Sequence, residues 1–444
     1  MASIVVNGDT SGSVTLSAPA TAGTVVVTLP SASGTMAVSG GSPSFTTITT
    51  TSDASISGLT VGKGAGTGVE RTVVGNASLG FNTTGANPTA VGSQAMYSNT
   101  TGSNNSAFGR ASLLLNTTGS NNTAIGQDTL YNNTTANNST AVGYQAAYNS
   151  TGAAVTAIGY RALYSGNANG SSTAVGFNAG YSNTSGYYNV FTGYNAGYSN
   201  TTGVCNTFIG SLDNGSVAAA GASNTTGGSN VAVGAGALGL NTTASGNTAV
   251  GYQALYGNTT GGYNVCVGQG SGNNASYSAN YNSFIGYNSG RNTTTGSANL
   301  AIGIDSGTDA VFNITTQSNR AVIGDNGITN AYVKVAWTVT SDARDKTNIV
   351  PIGHGLDFVQ QLNPVSYNFK KSREDDTAHG SKRYGFLAQE ILALEGQDNV
   401  IIDNEDEENL KYQGEALVPV LVKAIQELKA ELDTVKAELA ALKG

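Results

Sequence analysis

Ala249-Val250-Gly251-Tyr252-Gln253-Ala254-Leu255-Tyr256-Gly257-Asn258-Thr259-Thr260-Gly261-Gly262-Tyr263-Asn264-Val265 is one unit of a pattern that fills the middle of this 444-residue chain. Its glycine follows an apolar pair. That glycine returns at Gly75, Gly92, Gly109, Gly126, Gly143, Gly159, Gly176, Gly193, Gly210, Gly234, Gly251, Gly268, Gly286 and Gly303. Of the thirteen intervals, ten are 17 residues and the others are 16, 24 and 18. A fixed period is the mark of a solenoid. Seventeen residues are too few for a pair of helices and suit one coil of a β-solenoid. We expect one short strand at Ala-Val-Gly, a second at Ala-Leu-Tyr, and turns at Asn-Thr-Thr-Gly, where Asn and Gly accept positive φ. Coils advance by about 4.8 Å, so about fourteen of them make a rod on the order of 65 Å long.

The side chains of the unit refine this reading. One small apolar pair and a Leu per coil bury little around a single axis, so three chains packed side by side are expected to cover the apolar strip; the alternative is a wide single coil that closes on itself. The triplets Asn82-Thr83-Thr84 and Asn116-Thr117-Thr118 match a glycosylation acceptor, but the turn role explains them better. Tyr97, Tyr131, Tyr148, Tyr164, Tyr181, Tyr198 and Tyr256 share one place in the unit. They read as a stacked ladder between coils in preference to a sugar-binding stripe.

Composition narrows the function. A formal net charge of −8 argues against sequence-independent nucleic-acid binding, which needs a basic footprint. Cys205 and Cys266 stand far apart, with no CxxC and no neighbouring His, so neither a disulfide scaffold nor a zinc site is implied. No cofactor and no metal is expected. Met1 to Asp9 lacks the basic and apolar regions of a secretory signal, and no run of 18 apolar residues exists. The expectation is a protein assembled in a cytoplasm without membrane insertion.

The flanks differ from the rod. Residues 1–40 hold two alternating stretches, Ser13-Val14-Thr15-Leu16 and Thr24-Val25-Val26-Val27-Thr28-Leu29, read as strands of an attachment segment. Residues 41–70 form a Thr/Ser/Gly-rich linker, 71–303 the rod, and 304–340 a β neck containing Arg320-Ala321-Val322-Ile323-Gly324 and Ala331–Thr340. From Ser341 the composition changes. The last 104 residues hold 31 of the 46 acidic and basic side chains. They read as α+β, with a helix over Gly355–Leu362, a strand over Val365–Phe369 and a helix entered through Tyr384–Ile391. Val418, Leu421, Ile425, Leu428, Leu432, Val435, Leu439 and Leu442 are spaced alternately by 3 and 4, which is a heptad seam. Asp403–Glu408 reads as a solvated acidic loop.

Five ordered motifs sit in this tail. They are Ser341-Asp342-x-Arg344-x-Lys346-x-Asn348-Ile349, Gly355-Leu356-Asp357, Leu362-x-Pro364-Val365-x-Tyr367, Gly385-Phe386-x-Ala388-Gln389-Glu390 and Ala424-Ile425-Gln426-Glu427-Leu428. Together they resemble the intramolecular chaperone auto-processing domain of the S74 peptidase family, which ends many phage tail fibres and tail spikes. The rod loosely resembles the head repeats of YadA-like trimeric adhesins. The first resemblance implies a homotrimer whose tail domain templates folding of the rod and then cuts itself off between Thr340 and Ser341. Ser341 would be the nucleophile and Lys346 its base, with Asp342, Arg344 and Asn348 shaping the site. Serine needs such a base at neutral pH, and burial is what makes a lysine able to act as one. Asp345 departs from the family pattern, where an apolar residue is common, and a carboxylate beside Lys346 is expected to slow the reaction. Tyr384 stands where some relatives carry histidine and receives no role.

The resulting fold class is mainly β, a trimeric β-solenoid rod with a C-terminal α+β chaperone domain ending in a coiled-coil helix. The partners implied are other virion tail or baseplate proteins at the N-terminus and a host surface receptor, by default a glycan. An adhesin with a non-cleaving trimerisation domain is the alternative, but it calls for a signal peptide and a membrane barrel. A sugar-cleaving spike calls for paired carboxylates in the rod. Between Thr72 and Gly303 only Asp128 and Asp213 are acidic, in different repeats. Ice binding by arrayed threonines leaves the tail unexplained. A folding aid has a physical motive, since intertwined β trimers rich in non-local contacts fold slowly and expose strand edges meanwhile.

Overall fold

The computed structural model describes residues 3–8, 12–17, 54–56, 59–62, 70–166, 169–212, 217–309, 313–325, 327–328, 341–370, 373–396 and 399–444, with isolated positions at 67, 332 and 334. The chain forms two compact units, 1–51 and 52–444. The first contains an antiparallel hairpin of β1 (Ser3–Gly8) and β2 (Gly12–Ser17), with Ile4 opposite Leu16 and Val6 opposite Val14. β2 covers one expected strand. The other, Thr24–Leu29, lies outside the described residues, as does most of Ala331–Thr340.

The second unit opens with β3 (Ala54–Ile56) and β4 (Leu59–Gly62), paired antiparallel, and β4 pairs antiparallel with β5 (Thr72–Val74). Fifteen three-residue strands then run from β5 to β19 (Ala321–Ile323). Each pairs parallel and in register with the next, as Thr248, Ala249 and Val250 do with Val265, Cys266 and Val267. The ladder therefore continues one rung past Gly303, into the segment read as the neck.

The expected second strand at Ala-Leu-Tyr is not a strand. Gln253 and Leu255 have φ of 55° and 52°, left-handed values that an extended strand cannot hold. The segment is a run of turns that still ties the stack together. Gln253 N donates to Ala235 O in the coil before, and Leu255 N to Ser271 O in the coil after, both at 2.8 Å. The true strand begins one residue earlier than expected, at Thr248, because the repeat glycine leaves it. Gly92 has a φ of 133°, and a Cβ there would lie 2.5 Å from Gly109 O. Only glycine allows this approach of successive coils.

A single coil closes on itself, which corrects the expectation of a thin coil with little interior. The central strand residue points inward, and Ala107, Ala124, Ala141 and Ala157 are fully buried together with Leu113, Leu130 and Leu163. Most of the buried polar side chains of the rod are asparagine, with Ser or Thr at some rungs. Asn116 Nδ2 donates to Asn99 Oδ1 at 2.7 Å and to Gly119 O at 3.0 Å. Asn99 repeats this toward Asn82 and Gly102. In a second row, Asn122 N donates to Asn105 Oδ1, and Asn122 Nδ2 to Ala136 O. Burying an amide is costly unless its bonds are made, and here they are made both to the adjacent coils and, three residues on, to a carbonyl of the same coil. Asn82 and Asn116, the acceptors of the glycosylation-like triplets, are themselves buried.

Coils that depart from the unit compensate in volume. Phe191 replaces the inward Ala, and its ring lies where Gly180 and Gly197 have given up the inward Leu. Phe208 with Gly221, and Phe284 with Gly290, repeat the exchange.

The C-terminal part is α+β. α1 (Leu356–Gln361) packs on the long α3 (Leu417–Lys443). β20 (Val365–Lys370) and β21 (Ala378–Gly385) form an antiparallel hairpin, followed by α2 (Ala388–Glu395) and the short pair β22 (Ile402–Asp403) and β23 (Lys411–Tyr412). Phe358, Ile391, Ile401, Ile402, Leu417 and Val420 form the core. The Glu395 carboxylate, buried, accepts the backbone N–H groups of Val400, Ile401 and Ile402 and so shapes the turn after α2. Among the described residues no helix is long and apolar enough to cross a membrane.

Candidate active site

Ser341 opens the described C-terminal part, while Thr340, on the other side of the expected scissile bond, lies outside the described residues. A single 3-10 turn, Ala343–Asp345, follows. Asp342 caps it, with Oδ1 accepting from Arg344 N at 2.9 Å. The Arg344 guanidinium closes on the same carboxylate, Nε reaching both oxygens at 3.1 Å. That guanidinium, and after it the backbone N–H, hold the Asp342 carboxyl below its ordinary value. The turn reverses the chain so that Lys346 comes back over its start. Lys346 Nζ donates to Ser341 Oγ at 2.8 Å.

The five-residue spacing thus brings the two candidate side chains together. Asp342 and Arg344 brace the turn between them. Asn348 stands beyond it with a φ of 55°, a conformation asparagine tolerates, and turns the chain toward Ile349. Among the described residues Asp345 makes no ion pair with Lys346; the ammonium is turned to the serine. Ser341 and Lys346 are both exposed in the single chain, and so are Ile349 and Val350. Tyr384, on β21, is also exposed.

The second candidate surface is the rod. Five of the seven tyrosines stack: Tyr131, Tyr148, Tyr164, Tyr181 and Tyr198 follow one another with ring centroids 4.9–5.3 Å apart, while Tyr97 meets Phe81 edge-on. A second aromatic row escaped the sequence reading. Tyr144, Tyr160, Phe177 and Tyr194 stack at 4.8–5.3 Å, and its signal was the residue directly after the repeat glycine. Arg161 places its guanidinium 5.1–5.9 Å from the rings of Tyr144, Tyr160 and Tyr164. Rings stacked along the rod use their faces on each other and offer edges outward. Such a row is a poor platform for a sugar, which stacks on a free face. The outward strand residues Phe108, Ile125, Ile158, Val175, Ile209 and Ile285 form an exposed apolar stripe.

Residues 341–400 match the Peptidase S74 family model, described as chaperone of endosialidase. No curated protein and no solved structure matches the chain. The match begins at the serine whose hydroxyl meets Lys346, and the C-terminal part of this β-solenoid protein is a chaperone-of-endosialidase domain of the S74 peptidase family.

Proposed function

We propose that the protein is a phage tail fibre, a structural protein of the virion that contacts the host. Its C-terminal domain gathers three copies, guides assembly of the rod, and releases itself by cutting Thr340–Ser341. The 2.8 Å contact of Lys346 Nζ with Ser341 Oγ, at the first residue of the family match, carries this reading.

The chemistry proceeds in two steps. Ser341 Oγ attacks the Thr340 carbonyl carbon while Lys346, in its neutral form, takes the hydroxyl proton. The C–N bond breaks, the proton passes to the departing amine, and the Thr340 acyl group is now an ester on Ser341. Water then hydrolyses the ester, leaving a Thr340 carboxylate and a free Ser341. In the contact observed Lys346 Nζ donates to the hydroxyl. A lysine becomes a base when burial disfavours its charge. Lys346 is exposed in one chain, so in this reading neighbouring copies complete the site, and cutting waits for assembly.

Two features support the gathering of copies. The α3 seam faces solvent along its whole length; Ile425 is 66% exposed and Leu442 85%. Seams of this spacing pair with other helices. The apolar stripe of the rod offers the matching side-by-side contact. Intact-mass analysis of the full chain and of Ser341→Ala tests the reading. The unsubstituted chain should yield a rod ending at Thr340 plus the released tail, and the variant a single unbroken chain. Identical full-length masses would sink it.

A further inference from the structure

We infer that Lys423 and Glu427, on the inner face of α3, are positioning residues for self-cleavage. They fasten the chain that follows the Ser341–Lys346 turn to the helix that joins the copies. This rests on the self-cleavage proposed above.

The seam residues of α3 face outward, while Leu417, Val420 and Ala424 are buried against the domain. On this inner side the helix reaches two polar side chains toward the segment leading into α1. Lys423 Nζ donates to Ile352 O at 2.8 Å and to Gly353 O at 3.0 Å. Glu427 Oε2 accepts from Leu356 N at 2.6 Å. The two side chains are themselves 3.5 Å apart. Their partners lie 70 or 71 residues away in sequence, so the clamp is a tertiary device and no part of the helix's own capping.

Gly355 is cut to fit it. A Cβ there would lie 2.1 Å from Glu427 Oε2. The α1 helix begins at this glycine with no side-chain cap of its own, and the distant carboxylate takes that place. Two of the sequence motifs, Gly355-Leu356-Asp357 and Ala424–Leu428, are thereby explained as halves of one contact. The clamped segment starts six residues after Lys346, on an exposed stretch that little else holds. When α3 enters a bundle, the clamp carries its fixed position to the reactive turn. Small displacements of reacting groups cost large factors in rate.

The test uses the full chain. The exchange Lys423→Glu with Glu427→Lys keeps an i,i+4 pair on the helix but leaves Leu356 N without an acceptor and the two carbonyls without a donor. We expect cleavage to slow by roughly tenfold or more. Glu427→Gln, which keeps an acceptor oxygen, should restore cleavage to within about threefold, since a neutral acceptor weakens the bond without removing it. Trimer mass, measured with Ser341→Ala added to each variant, should not change. Unaltered cleavage in the exchange variant would overturn the inference. So would loss of the trimer together with cleavage, which would make the pair merely structural. A parent chain that never cuts would instead refute the self-cleavage reading, and this inference with it.

Discussion

The rod and the C-terminal domain dispose their apolar side chains in opposite ways. In the rod, each coil buries its Ala, Leu and Asn against the coils directly before and after, and the backbone bonds follow the same short spacing. In the C-terminal domain a small core is closed, but α3 leaves a complete seam in solvent, from Val418 to Leu442. The rod is thus self-sufficient in its interior, and its contacts are sequential. The expected motive for a folding aid, an intertwined core of distant contacts, does not describe it. A different need takes its place. In the assembly proposed above, rungs so alike define the register between neighbouring rods poorly, because a slip of one coil, about 4.8 Å, again sets Ile or Val beside Ile or Val at most rungs, Phe108 and Thr192 being exceptions. The seam of α3, which is not repeated elsewhere, can set both copy number and register.

The strongest way to break this contrast is to charge the seam. Leu428→Asp places a carboxylate at a seam position that is 53% exposed in the single chain, so the domain's own core is untouched. Association should be lost, with sedimentation reporting a single copy and circular dichroism an unchanged fold. A variant that still sediments as an assembly would mean that the rod alone holds the copies together, reversing the roles assigned to the two regions.

The interior of the rod is tested at Phe191. Its ring fills the space left by Gly180 and Gly197. Phe191→Ala should destabilise the rod by about 3–5 kcal/mol, the usual cost of truncating a fully buried aromatic. Adding Gly197→Leu rebuilds the ordinary Ala and Leu coil. Gly197 has a φ of 60°, and leucine already holds that conformation at Leu130, with a φ of 50°. The double variant should therefore regain much of the loss in chemical denaturation. If it is no better than Phe191→Ala, the exchange of volumes is not what lets these coils depart from the unit.

Much of this was readable from residues alone, for reasons that differ along the chain. The 17-residue period gave the solenoid because every coil must repeat its contacts, and the 3-4 spacing gave α3 because one face must stay apolar. Ser341 and Lys346 were singled out by the ordered motifs around them; the turn at Ala343–Asp345 supplies the reversal that the spacing alone left open and brings their side chains into contact. The interior was misjudged because asparagine was read as turn chemistry alone; Asn99 and Asn116 do close their own turns on Gly102 O and Gly119 O, but they also face inward. Their other partners lie in adjacent coils, invisible until the stacking register is known. The Ala-Leu-Tyr turns were misread because Gln253 and Leu255 give no hint of positive φ; the stack imposes it. The Lys423–Glu427 clamp depends on how α1 lies on α3, which helical periodicity cannot supply.

The smallest expected effect distinguishes the two regions by pH. Cys266 stands at an inward strand position, fully buried, and burial pushes its thiol up to about 12, only partly offset by its hydrogen bond with Ser271. The Tyr277 phenol, buried nearby and bonded to Asn264 and Asn282, is likewise pushed well above its ordinary value, first by burial and then by the Cys266 charge. Both are acids that are neutral in the fold and ionise more easily when exposed. Their stabilisation is therefore full below the unfolded values and is lost as pH rises toward the folded ones. For the thiol that window runs from about 9 to about 12. By pH 10 the thiol alone should cost the rod about 1.4 kcal/mol. Chemical denaturation of the rod at pH 8 and pH 10 measures this, and Cys266→Ala should flatten the difference. A thiol reagent supplies the independent check, since at pH 8.5 it should modify the exposed Cys205 and spare Cys266. Equal labelling of both would mean that the coils around Cys266 open readily, and that the rod's interior is not closed there.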